Sequence, residues 1–147
     1  MYFHLREIGK DCRIITCSRM PSEYSFLNSE QIFEVHELVQ HQDWIKNVNL
    51  VIIFDVGDIK RLQTICSEIN SYSLPTLNID HHPHEEDNLF TYNLVDVNAA
   101  ATGEMLYNYL KLARSGQLPK EICEGIYTAV MTDTAVSYTH LTLPTKA

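Results

Sequence analysis

Hydrophobic and polar positions along the chain follow two periods. Leu50-Val51-Ile52-Ile53-Phe54 is an unbroken apolar run and predicts a central strand buried on both faces. Asp55-Val56-Gly57-Asp58 ends it, and residues 59–72 return as a helical pattern. After the breaker Pro75, Thr76-Leu77-Asn78-Ile79 alternates polar with apolar, so this strand needs only one apolar face. Tyr92-Asn93-Leu94-Val95 predicts another strand, ending at Asp96. Residues 102–115 predict a helix with Met105, Leu106, Leu110 and Leu112 on its buried side and Gly116 beyond it. A last helix is expected over 119–132, with Pro119 suited to its first turn. Upstream, residues 2–8 read as the end of a helix closed by Gly9. Cys12-Arg13-Ile14-Ile15-Thr16-Cys17 reads as a short strand, which would point its two cysteines to opposite faces, and residues 21–30 carry turn chemistry. Residues 32–39 fit a strand or a helix, and 41–48 a short helix with Trp44 and Ile45 inward. Strands alternating with helices predict an α/β fold with a parallel sheet. There is no internal repeat and no linker.

Length and charge narrow this picture only a little. At 147 residues the chain is long enough for one domain with its own core, and 45% hydrophobic with 20% charged residues is a globular composition. No apolar run approaches the roughly 20 residues of a membrane span, and the amphipathic Tyr2-Phe3-His4-Leu5-Arg6-Glu7 is not a signal peptide. Cys12, Cys17, Cys66 and Cys123 form no CxxC pair and no zinc spacing, so reduced, partly buried thiols in a cytoplasmic protein are expected. A net charge of −8 argues against a broad nucleic-acid-binding surface but leaves room for a small anionic substrate at a metal.

The chemistry concentrates in Asp80-His81-His82-Pro83, directly behind a predicted strand. Pro83 stops the strand, which leaves an acid and two imidazoles at a loop mouth. Open α/β sheets place their ligands there, outside the carboxyl ends of the strands. Asp55 ends the preceding strand and would share that edge; taken alone it would be an ordinary turn aspartate. Asp133 is expected at a helix C-terminus, the unfavourable end of the dipole, where a cation would offset the cost. In an extended segment the rings of His81 and His82 diverge, so one could ligate metal while the other faces substrate. His84 invites a zinc reading, but no cysteine or further histidine stands at a matching spacing. Carboxylates with imidazole and no thiolate suit Mn²⁺ or Mg²⁺ better. Two such ions sharing an aspartate, roughly 3.5–4 Å apart, would polarise a phosphoryl oxygen and acidify a bridging water. Metal-assisted phosphoester hydrolysis is therefore the leading reaction class.

Several motifs stand in order: Phe54-Asp55-Val56-Gly57-Asp58 with Arg61, Ile79-Asp80-His81-His82-Pro83, Asn93-Leu94-Val95-Asp96 with Ala99-Ala100-Ala101-Thr102-Gly103-Glu104, and Met131-Thr132-Asp133-Thr134. This order resembles the DHH phosphoesterases, most closely the NrnA-type oligoribonuclease and pAp phosphatase branch that is also described as RecJ-like. The resemblance covers residues 1–134. It implies a three-layer, parallel-sheet α/β domain and two divalent ions, Mn²⁺ ahead of Mg²⁺. It also implies a small nucleotide or short RNA substrate, and a parent protein that could be a homodimer. By position, Asp55 matches the aspartate that bridges the metals, and His81 and Asp133 match further metal ligands. Asp80 would orient His81, as ligating imidazoles require, and His82 would face the scissile phosphate as a catalytic group. Arg61 and Asp58 have no chemical role, with a surface salt bridge as the default. The reaction implied is hydroxide attack assisted by two metals on short oligoribonucleotides or 3′-phosphoadenosine 5′-phosphate. The alternatives are a cyclic-di-AMP phosphodiesterase and a regulatory module that binds metal or nucleotide without catalysis.

Departures from the family pattern matter equally. Nothing upstream of Asp55 matches the family's first strand with its His-x-x-x-Asp-x-Asp motif, and the basic C-terminal DHH-associated domain has no counterpart. Family members follow Thr-Asp-Thr with Gly, whereas Ala135 stands here. The expectation is a partial DHH domain over 1–135, truncated at both ends and inactive by itself. The remaining segment, 136–147, is expected to be non-native. Val136-Ser137-Tyr138-Thr139-His140-Leu141-Thr142-Leu143-Pro144-Thr145 is the translation of GTC TCT TAT ACA CAT CTG ACG CTG CCG ACG, a transposase sequencing-library adapter. Sequencing the parent DNA checks this: the adapter codons are expected across 136–145, and any other codon series there refutes the adapter origin.

Overall fold

The computed structural model of the chain describes residues 1–83 and 90–138, the last four by backbone alone. Helix α1 (Tyr2–Glu7) leads to β1 (Ile14–Thr16), a 3-10 segment (Ser22–Asn28), β2 (Phe33–Val35) and α2 (Leu38–Ile45). Then come β3 (Val51–Phe54), a 3-10 turn (Ile59–Leu62), α3 (Thr64–Ser71), β4 (Thr76–Asp80), β5 (Tyr92–Val95), α4 (Thr102–Ala113) and α5 (Lys120–Tyr138). The strands form two parallel sheets among the described residues, β1-β2 and β3-β4-β5. The expected α/β architecture with parallel pairing is thus present, as two ladders. No helix among the described residues is long and apolar enough to cross a membrane.

Local chemistry explains most element boundaries. Helix α1 ends in a Schellman motif: Gly9 adopts φ +77, its N–H bonds the Arg6 carbonyl, and the Lys10 N–H bonds the Leu5 carbonyl. The core packs α2, α3 and the turn before α3 against β3, through Ile45, Ile53, Ile59, Ile65, Ile69, Leu74 and Phe90. Ile15 of β1 and Cys17 join its margin, so both sheets share one apolar interior. Leu110 is fully buried on α4, whose neighbour is α5.

The structure corrects several expectations. The pattern over 59–72 is not one helix, because Gln63 at φ 53 breaks it into a 3-10 turn and α3. Asp58 caps that turn by accepting the Lys60 N–H at 2.9 Å, and no ion pair joins it to Arg61. Strand β4 buries both faces, since Thr76 and Asn78 are covered like Ile79. Thr76 is satisfied by Thr91: its hydroxyl accepts the Thr91 N–H at 2.8 Å, and its own N–H donates to the Thr91 hydroxyl at 3.1 Å. Leu112 is 90% exposed; two residues on from Leu110, it lies about 200° around the helix. Cys12 and Cys17 flank β1 rather than lying on it, and Cys17 Sγ meets the Leu62 carbonyl at 3.3 Å. All four cysteines are free, with Cys123 exposed and the others partly buried. Helix α5 continues past residue 132 to Tyr138, so Asp133 is a mid-helix residue and the dipole argument for it falls. His84 and residues 139–147 lie outside the described residues.

Truncating Leu110, the fully buried side chain of α4, tests the packing of this half of the molecule. Leu110→Ala is expected to lower unfolding stability by about 2–5 kcal/mol in a urea titration; a loss below about 1 kcal/mol would show that α4 is not anchored there.

Candidate metal centre

Parallel register brings the strand ends together. Phe54 pairs with Ile79, and Asp80 pairs with Val95. The ladder extends by one hydrogen bond on each side, Asp55 N–H to the Ile79 carbonyl at 3.0 Å and Asp96 N–H to the Asp80 carbonyl at 3.1 Å. Asp55 then leaves the strand at φ 60, a left-handed conformation that aspartate tolerates better than most residues. Such a backbone costs on the order of 1 kcal/mol and persists where the surroundings hold it.

Asp80 is fully buried, and its Oδ1 accepts two hydrogen bonds from His82, the backbone N–H at 3.0 Å and Nδ1–H at 2.9 Å. His82 itself is 55% exposed. The hydrogen bond to Asp80 holds the His82 imidazole above the usual histidine range, with the charges of Asp80, Asp55 and Asp133 adding to it against the effect of burial. His81 turns the other way. Its Nδ1 lies 3.2 Å from the Ala99 carbonyl. A carbonyl only accepts, so Nδ1 carries a proton toward Ala99 and Nε2 is the ring nitrogen turned to the acids. That Nε2 is buried without a hydrogen-bond partner, 3.5 Å from Asp55 Oδ1 and 3.7 Å from Asp133 Oδ2. Thr102 of α4 donates its hydroxyl to Asp55 Oδ1 at 3.0 Å. Burial pushes the Asp133 carboxyl up, and the Asp55 charge pushes it further.

These atoms are a donor set in search of a cation. One ligand atom from each of Asp55, Asp80, His81 and His82 lies within 4.8 Å of the others, and Asp133 joins through His81. His81 Nε2, buried without a hydrogen-bond partner, faces the Asp55 and Asp133 carboxylates, and imidazole and carboxylate donors so placed fit a divalent ion. Oxygen and imidazole donors without thiolate suit Mn²⁺ or Mg²⁺.

All five residues singled out in the sequence, Asp55, Asp80, His81, His82 and Asp133, therefore meet at one place. One detail differs from expectation. Asp80, expected to orient His81, hydrogen-bonds His82, while the group that orients His81 is the Ala99 carbonyl. Ala99 and Thr102 were visible only as members of the Ala99-Ala100-Ala101-Thr102-Gly103-Glu104 motif, without a role.

The fold has a counterpart among solved structures. The chain superposes on an exopolyphosphatase-related protein from Bacteroides fragilis with a TM-score of 0.78 at 22% identity, over 91% of this chain and 40% of that one. The likeness shows the fold, an α/β arrangement with parallel sheets consistent with part of a DHH-type domain. The chain spans 40% of that protein's length. No protein-family model matches the chain. No curated protein matches it. The chain thus shares the fold of that structure and carries a candidate divalent-metal site at its strand ends.

His81→Ala and Asp55→Asn are each expected to weaken Mn²⁺ binding at least tenfold in a calorimetric titration. Affinity is also expected to fall with pH, because protons compete for the carboxylates and the imidazole. Equal affinity in wild type and both variants would place the ion elsewhere.

Proposed function

We propose that the chain carries the metal-binding part of a phosphoesterase that hydrolyses short oligoribonucleotides or 3′-phosphoadenosine 5′-phosphate. The observation that carries this reading is the buried His81 Nε2 between Asp55 and Asp133, beside an exposed histidine held by a buried aspartate. Asp55, His81 and Asp133 would hold the metal, in keeping with two ions of which Mn²⁺ is the better candidate. Bound there, divalent ions supply Lewis acidity to a phosphoryl oxygen and acidity to a water.

The remaining chemistry belongs to the side chains. Asp80 fixes His82 with Nδ1 protonated and favours the imidazolium, which can meet phosphate charge or give a proton to the leaving oxygen. Thr102 keeps Asp55 Oδ1 in place, and the Ala99 carbonyl orients the His81 ring through Nδ1. Half-exposed His82 stands at the solvent side of the cluster, where an anionic substrate would arrive. Whether or not 136–147 is of adapter origin, none of those residues enters this reading.

Substrate choice is tested on the chain together with whatever its parent gene encodes on either side. With Mn²⁺, release of AMP from 3′-phosphoadenosine 5′-phosphate or mononucleotides from dinucleotides is expected. Cyclic-di-AMP and inorganic polyphosphate, the second suggested by the name of the structural counterpart, are the competing substrates. His82→Ala is expected to lower kcat by about 10²–10⁴-fold with Mn²⁺ affinity kept. Absence of hydrolysis of every phosphoester would favour a regulatory module instead.

A further inference from the structure

The three groups that face the metal position come from distant parts of the chain, yet His81, Asp55 and the helix that carries Asp133 all meet one short segment. That segment begins where β5 ends. Asp96 pairs its N–H with the Asp80 carbonyl, and its Oδ1 accepts the Asn98 N–H at 3.0 Å while its carbonyl takes the Ala99 N–H at 3.1 Å. The resulting turn presents the Ala99 carbonyl to His81 Nδ1. Ala101 then serves as the N-cap of α4, a poor capping residue with no side-chain acceptor. Glu104 compensates by reaching back, its Oε2 accepting the Ala100 N–H at 2.7 Å. Thr102, the first residue of the helix, directs its hydroxyl to Asp55. The next residue, Gly103, allows α4 to lie directly on α5. A Cβ there would stand 2.9 Å from Ala129 Cβ and 3.1 Å from Val130 Cγ2. Those two residues lie on the helical turn just before Asp133.

We propose that residues 96–104 form a positioning unit that sets His81 through the Ala99 carbonyl, Asp55 through the Thr102 hydroxyl, and the helix bearing Asp133 through Gly103. The inference rests on the metal-site reading above and adds the residues that hold that site ready. Thr102, Gly103 and Glu104 are positioning residues: they act through the ligands and touch no substrate. Ligand-orienting groups of this kind change metal affinity by about 10–100-fold when removed.

The test uses the 147-residue chain, with Mn²⁺ as the probe and ¹⁵N NMR of the metal-free protein as a second readout. Thr102→Val is expected to weaken Mn²⁺ binding by about 10–100-fold with an unchanged metal-free melting temperature. Thr102→Ser, which restores the hydroxyl, should return the affinity. At a pH where the imidazole is neutral, wild-type His81 is expected as the Nδ1–H tautomer. Glu104→Ala should mix the two tautomers, while Glu104→Gln, still an acceptor for the Ala100 N–H, should keep one. Gly103→Ala should weaken Mn²⁺ binding by parting α4 from α5. Wild-type affinity in Thr102→Val and Gly103→Ala, with an unmoved His81 tautomer in Glu104→Ala, would overturn the proposal. If the wild-type chain binds no Mn²⁺, the metal reading fails by itself, and the tautomer in Glu104→Ala alone decides the positioning role. If Glu104→Ala does not fold, the Thr102 pair decides it through affinity, or through the His81 tautomer where Mn²⁺ does not bind.

Discussion

Two backbone hydrogen bonds extend the parallel ladder beyond its last paired residues, Asp55 N–H to the Ile79 carbonyl and Asp96 N–H to the Asp80 carbonyl. Through them three consecutive strands end level with one another. Because the strands are parallel, their ends gather carbonyls and loop residues on one side, and the three aspartates Asp55, Asp80 and Asp96 arrive together. A slip of one residue between β3 and β4 would turn Asp80 to the opposite face and separate it from Asp55. Burial of both faces of β4 resists that slip, with Thr76, Asn78 and Ile79 all covered. The position of the site is thus a consequence of the register, and the register a consequence of the core.

Crowding acids at one edge has an electrostatic cost, and the two histidines divide the work of meeting it. His82 is tied to the buried Asp80, which favours the charged imidazole and neutralises the most deeply placed carboxylate. His81 is held differently: its Nδ1 faces the Ala99 carbonyl while its Nε2 lies between Asp55 and Asp133. Two adjacent residues with rings 4.2 Å apart therefore have different chemistry, set by one carboxylate and one carbonyl. Burial first, and then the Asp55 charge, raise the Asp133 carboxyl, against the two histidines, which lower it.

Much of this was legible in the sequence because strand ends and short polar clusters leave marks in residue order. The apolar run before Asp55 and the alternating run before Asp80 gave the two strands and the edge they share. The supporting contacts were less visible for a physical reason. The group that orients His81 is a backbone carbonyl, which any residue at Ala99 would provide, so the residue type there carries no signal. Thr102 reads as an ordinary helix-start residue until its hydroxyl is seen to reach Asp55. The break at Gln63 was hidden because its left-handed φ sits on a residue with no turn preference. Leu112 reads as core by residue type alone, yet on the α4 wheel it faces away from the buried Leu110 and is exposed. Asp133 reads as a helix-end acid in the sequence, whereas it lies within α5 with Asp55 and His81 as its neighbours in space.

The central claim is that the atoms facing one another at the strand ends are ligands. Anomalous diffraction from crystals of the chain soaked in Mn²⁺ tests it most directly. An anomalous peak is expected among His81 Nε2, Asp55 Oδ1 and Asp133 Oδ2, with His82 turned toward Asp80. A peak elsewhere on the surface, with His81 still bonded to Ala99 and its Nε2 bare, would contradict it.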